Sequence, residues 1–225
     1  AEETMTFTDA AVRTMHLAEF DHQVDVLIGK GYPQAAGVTP GVFAKHLMPL
    51  KEVVTGLGGG DGTPDQGRLP FVIVVTSDLV PADQAIAMVE REGRTGFSVL
   101  DADDLAGFRP IEGLALPDGS AYVIIDVETG KDTLNVRPND AIGMIESRGR
   151  SPLTVDEGIA FVTQYPEAVA PNGGFSLLGS RSGDKRVTAL WISKRTPKLG
   201  WCFAGVPHTW LGSASCAGRV GAPEH

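Results

Sequence analysis

The sequence predicts an α+β fold in which N-terminal helices pack on a mixed β-sheet and a C-terminal antiparallel β unit closes the domain. Three observations predict this class. Apolar residues recur every three or four positions in the first third of the chain, which is the spacing of a buried helical stripe. Residues 69–76 and 121–127 are continuous apolar runs rich in β-branched side chains and indicate buried strands. Helices lead and β-like runs close the chain, whereas a parallel sheet would need regular alternation.

Two helices are predicted before the first strand. Thr8 is a candidate N-cap of the first helix, and Gly31 together with Pro33 ends it. Thr39 and Pro40 begin the second helix as its N-cap and its first helical residue.

A glycine-rich stretch at residues 55–68 follows these helices. It has almost no apolar side chains, so we predict a flexible linker. A phosphate-binding loop is the alternative, but such a loop follows a strand and opens a helix, and this stretch has the reverse context. We therefore expect a single α+β domain over residues 1–225, in which the linker marks off residues 1–54 as a candidate helical subdomain.

Short helices and strands mix in the middle of the chain. After the strand at 121–127 we predict a tight turn at 128–131 and a return strand at 133–136. Thr154 and Glu157 have the spacing of a capping box, which predicts that a helix begins there.

The last third of the chain contains three β-like runs, at residues 175–178, 187–193 and 199–204. We expect the second and third runs to pair antiparallel through the turn between them. Such a hairpin would bring Arg186 beside Ala204.

Composition excludes several classes of protein. The 225 residues carry a net charge of −9, which argues against general binding to nucleic acid or to anionic membranes. Two cysteines do not make a disulfide scaffold. No apolar run approaches the roughly 20 residues of a membrane span, and the first eight residues do not resemble a signal peptide. A cytoplasmic location is the expectation.

Charge is unevenly distributed along the chain. Residues 172–225 carry seven basic and two acidic side chains and thus a net charge of +5, while the remainder carries −14. Arg181, Lys185 and Arg186 lie among glycines and serines, and such a loop suits a phosphate or a carboxylate. The alternative is that the basic segment docks on the acidic body of the protein or stays solvated.

The same segment holds all three tryptophans and both cysteines. Trp201 and Trp210 are candidates for the apolar wall of a binding site. Cys202, His208 and Cys216 are candidate catalytic residues or ligands of a metal, with zinc as the candidate ion. Two buried, inert thiols are the simplest alternative, and a disulfide is the remaining one.

The chain also resembles an actinobacterial family described only as a domain of unknown function. The resemblance begins at Glu19 and is carried by EFDHQVDVLIGKGYP, LPFVIVVT, DTLNVRP, SPLTVDEGIAF, FSLLGSRSGDKRVTALWISK and LGWCFAGVPHTWLGSASCAGR. It covers nearly the whole chain and is most specific in the last stretch. It implies a full family member and implies no chemistry.

Two functions of different kind follow from these residues. The first is binding of a small anionic molecule or a protein partner through the basic, tryptophan-rich C-terminal segment. The alternative is an enzyme that uses Cys202 or Cys216 with His208, either as a nucleophile pair or as metal ligands. No complete catalytic motif such as GxSxG decides between them.

Overall fold

The structure, a computed structural model, describes residues 2–58 and 66–224. Thr39 is a helix N-cap as predicted, because its hydroxyl accepts a hydrogen bond from the Val42 amide at 3.2 Å. It caps the third helix and not the second, since the short helix Tyr32–Ala36 comes before it. The described helices are α1 (Glu2–Lys30), α2 (Tyr32–Ala36), α3 (Pro40–Leu47), α4 (Lys51–Thr55), α5 (Ala82–Met88), α6 (Ala102–Gly107), α7 (Pro138–Ser147) and α8 (Val155–Gln164), with 3-10 turns at Met48–Leu50, Lys131–Thr133 and Pro166–Ala168. None of the described helices combines the length and the apolar character needed to cross a bilayer.

The described strands belong to two five-stranded sheets and two short ribbons. They are β1 (Arg68–Val75), β2 (Glu90–Arg91), β3 (Arg94–Thr95), β4 (Phe97–Ser98), β5 (Arg109–Pro110), β6 (Ala121–Glu128), β7 (Ser151–Pro152), β8 (Gly174–Leu177), β9 (Ser180–Arg181), β10 (Arg186–Ser193), β11 (Thr196–Phe203), β12 (Leu211–Ser213), β13 (Ser215–Cys216) and β14 (Gly218–Val220).

The first sheet has the order β1–β6–β13–β7, with β14 also paired to β6, and its pairs are antiparallel. Helix α1 lies along β1, which is the edge strand. The Gln23 side chain donates to the Phe71 carbonyl at 2.9 Å and accepts from the Ile73 amide at 2.8 Å. This contact satisfies polar backbone groups that an edge strand otherwise leaves unpaired.

The second sheet has the order β12–β8–β10–β11–β4. Its central strands β8, β10 and β11 are antiparallel, and its two edge strands pair parallel to their neighbours. The predicted hairpin is confirmed, since Arg186 faces Phe203 across β10 and β11 and the Ala204 amide donates to the Lys185 carbonyl at 2.8 Å.

One large buried cluster joins the N-terminal helices to both sheets. Phe20 of α1 and Phe43 of α3 belong to it together with Phe71 of β1, Phe161 of α8 and Phe175 of β8. A smaller cluster lies on the other face of the second sheet, under α7. The α+β class predicted from the sequence is confirmed, whereas the division of the chain into one domain with a helical subdomain at 1–54 stays a prediction.

Three local predictions have different outcomes. Thr8 is not the N-cap of the first helix, because α1 already begins at Glu2. The return strand expected at 133–136 is wrong: Thr133 ends a 3-10 turn, its hydroxyl donates to the Gly130 carbonyl, and it accepts from the Ser213 amide at 2.8 Å. These bonds tie the segment to β12 instead of to β6. The predicted linker at 55–68 has described flanks in α4 and β1, but residues 59–65 lie outside the described part of the chain.

Candidate functional site

A cleft of about 520 Å³, hereafter the main cleft, opens where the first sheet meets the start of α8. Its floor is formed by residues 76–78 after β1, by Tyr122 of β6 and by residues 154–156. The Thr76 amide donates to the Ser120 carbonyl at 2.9 Å and thereby extends the pairing of β1 and β6 to the edge of the cleft. Helices α5 and α6, strand β5 and the loop before β6 supply largely apolar walls. Small-molecule sites are usually clefts with mostly apolar walls and a few convergent polar groups, and this cleft has both kinds of lining.

Asp156 is the most unusual side chain on this floor. The Ser77 amide donates to its Oδ2 at 2.9 Å, and the Ser77 hydroxyl also hydrogen-bonds the carboxylate. Among residues 2–58 and 66–224, no Lys, Arg or His nitrogen lies within 4.0 Å of this carboxylate. Burial raises the pKa of Asp156 above its ordinary value, although the bonds from Ser77 lower it in part.

A buried network directly behind the floor holds this part of the cleft in place. The Tyr122 hydroxyl donates to Oε2 of Glu157 at 2.9 Å, and Arg219 donates to both carboxylate oxygens. Burial raises the pKa of Tyr122, and the neighbouring Glu157 carboxylate raises it further. Arg219 also donates to the Ser151 hydroxyl at 2.7 Å and to the Pro152 carbonyl at 2.8 Å. One guanidinium therefore connects β14, β7 and the start of α8.

The capping box predicted from the sequence is the local reason that α8 starts here. The Thr154 hydroxyl accepts from the Glu157 amide at 3.3 Å, and the Glu157 side chain accepts from the Thr154 amide at 2.8 Å. Because Asp156 lies between these two residues, the same box fixes its position at the edge of the cleft.

Arg186, a predicted anion ligand, is already neutralised. Its guanidinium pairs with Asp184 at 2.8 Å and with Asp104 at 3.3 Å. It also lies 5.2 Å from the ring centre of Phe108 and 5.9 Å from that of Trp201. Two carboxylates and two rings surround this cation, so it supports the contact between α6 and the second sheet more readily than it holds a free anion.

Arg181 and Lys185 line a separate, more open groove of about 490 Å³, hereafter the basic groove, together with the exposed side chains of Phe203 and Val206. Arg181 donates to the Asp184 carbonyl at 3.1 Å and makes no ion pair with a described residue. Two of the three predicted anion ligands thus share one groove, whose lining includes neither Arg186 nor His208.

The two tryptophans proposed as one apolar wall lie on opposite faces of β11. Trp201 alternates with buried Cys202 along the strand and packs against Phe203, with ring centres 5.1 Å apart. Trp210 packs against Trp191 at 5.7 Å and belongs to the cluster that contains Cys202. The side-chain alternation of a strand separates them, so they do not form a common wall.

Cys202, Cys216 and His208 are not brought together. Cys202 is buried under α7 in the smaller cluster, whereas Cys216 is buried in the main core. His208 packs on Trp210 at 5.0 Å. In the part of the chain that the structure describes, no three side chains of His, Cys, Asp or Glu are grouped as metal ligands. The residues present therefore do not fit the predicted zinc site.

Both cysteines are free thiols. Burial raises the pKa of Cys202 and of Cys216 to about 11 in each case. A thiol with so high a pKa is a poor nucleophile near neutral pH, because only the thiolate attacks.

Comparison with known proteins places the chain in a family. Residues 26–222 match a family model described as a family of unknown function, DUF5701. The chain belongs to this family. The match covers both sheets, the main cleft and the basic groove, so these are features of the DUF5701 region itself. No curated protein and no solved structure matches the chain.

Sequence reasoning missed the residues of the main cleft. Asp156 sits inside a capping box, where acidic residues are common because they favour the helix N-terminus. Ser77 follows the strongest predicted strand, and a polar residue at a strand end was the one available signal. The contact between Ser77 and Asp156 joins residues 79 positions apart, which no local pattern encodes.

Proposed function

We propose that this protein binds a small polar molecule in the main cleft and exchanges a proton with it through Asp156. The observation that carries the proposal is a half-buried carboxyl with a raised pKa and no cationic partner among the described residues, on the floor of a 520 Å³ cleft. Burying an unpaired carboxylate opposes folding. Groups perturbed in this way gather at binding and catalytic sites, where a ligand uses them.

The chemistry available to Asp156 is acid–base chemistry. A carboxyl whose pKa is raised by burial holds its proton more tightly than an exposed one and can pass it to a basic group of a ligand. The Ser77 amide fixes Oδ2, and a carboxylate has further lone pairs that can accept from a ligand N–H or O–H group. Tyr122 lines the same floor, but its hydroxyl is committed to Glu157.

Fragment binding tests this proposal. Ala106 is an exposed residue of α6 that lines the main cleft, and Ala106→Trp would fill the space in front of Asp156. Ala87→Trp is the matched control, because Ala87 is exposed on α5 and is absent from the lining. Small amides and alcohols are titrated while saturation-transfer NMR reports binding. We expect binding to wild type and to Ala87→Trp and loss of binding in Ala106→Trp.

Asp156→Asn supplies the second arm of the same experiment. It keeps an acceptor for the Ser77 amide but cannot exchange a proton. We expect fragments that donate a hydrogen bond to bind about tenfold more weakly to it, since a bond to a charged group contributes roughly 1.5–3 kcal/mol. Equal binding of the fragments to Ala106→Trp and to wild type would contradict the proposal.

A second candidate function concerns the C-terminal segment, for which the sequence predicted binding of a small anion or of a protein partner. Arg181, Lys185 and the exposed ring of Phe203 in the basic groove support it. The alternative of an enzyme built on Cys202 or Cys216 with His208 has less support, because the thiols are buried apart and their pKa values are high. The cytoplasmic location and the actinobacterial origin stay predictions.

A further inference from the structure

The ribbon formed by β5 and β9 separates the main cleft from the basic groove and pairs two arginines. Arg109 lies directly opposite Arg181, and Pro110 lies opposite Ser180. Directly opposite residues on antiparallel strands have Cβ atoms about 5 Å apart on the same face. Arg109 lines the main cleft and Arg181 lines the basic groove, so the pair borders both depressions.

Neither arginine is neutralised by a described residue. No Asp or Glu oxygen of residues 9–58 and 66–224 lies within 4.0 Å of either guanidinium, although the chain has 28 acidic residues and a net charge of −9. Several other arginines of this protein do pair with carboxylates, for example Arg68, Arg150 and Arg219. Like charges placed directly opposite each other destabilise a strand pair. Arg109 is exposed, so water screens part of this repulsion, and an anion between the two cations would remove the rest.

A second observation also points to a bound anion. The Nε–H of Arg181 is buried and has no hydrogen-bond acceptor among the described residues. Its Nη2 donates only to the Asp184 carbonyl, and the ammonium of the nearby Lys185 is without an ion-pair partner in the described part of the chain. The buried Nε–H lies out of reach of a ligand, but the outer Nη donors of Arg181 and the Lys185 ammonium suit an oxyanion, which accepts several donors at once.

We infer that Arg109 and Arg181 hold a phosphate group of the molecule that binds in the main cleft, so that its ligand is a small phosphate monoester. This inference rests on the proposed function for the body of the ligand, which would lie against the apolar walls around Phe108 and Leu105. The phosphate assignment follows from charge: a phosphate monoester carries about −1.5 to −2 near pH 7 and matches two guanidiniums, whereas a carboxylate carries −1.

Titration calorimetry with inorganic phosphate and with phenyl phosphate tests the inference. Both probes should bind wild type, and Arg109→Gln and Arg181→Gln should each weaken their binding about tenfold or more. Arg94→Gln is the matched control, because Arg94 is exposed on β3, lines neither depression and changes the net charge equally. We expect Arg94→Gln to bind both probes like wild type. Benzoate that binds as tightly as phenyl phosphate would overturn the phosphate assignment.

Two further results separate this inference from the proposed function. Phenyl phosphate should bind wild type more tightly than inorganic phosphate, and Ala106→Trp should remove this advantage while inorganic phosphate still binds. If neutral fragments bind in the main cleft but neither phosphate probe depends on Arg109 and Arg181, the arginine site is refuted and the proposed function stands. If inorganic phosphate depends on both arginines but Ala106→Trp changes nothing, the cleft proposal fails and the arginine site stands.

The stability of the free protein gives an independent readout. In dilute chloride buffer, Arg109→Gln should raise the melting temperature because it removes the repulsion between the two guanidiniums. In phosphate buffer of equal ionic strength, the melting temperature of wild type should rise more than that of the variant, because a ligand that binds only the folded state stabilises it. Equal gains for both proteins would contradict the site.

Discussion

At the scale of single residues, Asp156 links the main cleft to stability. Burial raises its pKa, so the folded protein holds this proton more tightly than the unfolded chain does. When the pH rises above 3.8, the ordinary pKa, Asp156 ionises first in the unfolded chain. The free energy of unfolding therefore falls until the pH has passed the raised pKa of the folded state. Asp156→Asn cannot ionise. We expect the free energy of unfolding of this variant to exceed that of wild type by about 1 kcal/mol at pH 7 and to equal it near pH 4, as measured by urea unfolding.

Asp118→Asn is the control for this prediction, because Asp118 is exposed in the loop before β6 and does not line the main cleft, whereas the charges that raise the pKa of Asp156 belong to Glu157 and Asp78. In this control, the difference in the free energy of unfolding between pH 4 and pH 7 should equal that of wild type. If Asp156→Asn were less stable than wild type at pH 7, the charged carboxylate would be favourable in the fold, contrary to the argument from desolvation.

The two thiols give a second prediction at this scale. With pKa values of about 11, Cys202 and Cys216 are ionised at pH 8 in only about one molecule in a thousand. Folded protein should therefore react slowly with iodoacetamide at pH 8 and rapidly after unfolding in urea. The single variants Cys202→Ala and Cys216→Ala assign the two rates. Rapid labelling of either folded variant would revive the nucleophile hypothesis.

At the scale of elements, Arg219 joins three of them, and we expect its loss to be severe. Its side chain is 5% exposed and that of Glu157 is fully buried. Arg219→Met leaves the Glu157 carboxylate without its cation, and removal of one partner from a buried pair destabilises by about 3–5 kcal/mol. Urea unfolding measures the change.

Lys51→Met is the matched control, since the Lys51–Asp21 pair is 29% and 58% exposed. Exposed pairs contribute about 0–1 kcal/mol. Adding Glu157→Gln to Arg219→Met should restore part of the lost stability, because it removes the unpaired charge. If the losses of stability caused by Arg219→Met and by Glu157→Gln simply add in the double variant, the two side chains do not act as a pair.

How far the sequence predicts the elements depends on how local their causes are. The capping box of Thr154 and Glu157 and the long apolar strands were predictable, because neighbouring residues determine them. The strand expected at 133–136 was not formed, because Thr133 bonds to Ser213, a residue 80 positions away. The main cleft was missed for the same reason, since Ser77, Tyr122 and Asp156 come from three distant segments. Of the predicted anion ligands, Arg181 and Lys185 share a groove. Arg186 pairs with Asp104, and no periodic pattern in the sequence predicts a contact between two residues so far apart.

At the scale of the whole molecule, the shared core predicts cooperative unfolding. Phe20 and Phe43 of the N-terminal helices are buried in the same cluster as Phe71 and Phe175. All three tryptophans lie in the second sheet or beside it, whereas far-UV circular dichroism is dominated by the helices. In urea, tryptophan fluorescence and circular dichroism should therefore give coincident transitions. A dichroism change that precedes the fluorescence change would support an independent helical subdomain at 1–54.

The late position of β13 and β14 in the chain has a consequence during synthesis. β1 and β6 are complete once residue 128 has been made, but the strands that cover the other edge of β6 are residues 215–220. At about 5–20 residues per second, that edge waits on the order of ten seconds for its partners. A nascent chain with an open, apolar strand edge is prone to pair with other chains. Until residue 220 has been made, this edge of β6 therefore has no partner strand, and the buried Glu157 carboxylate has no guanidinium from Arg219.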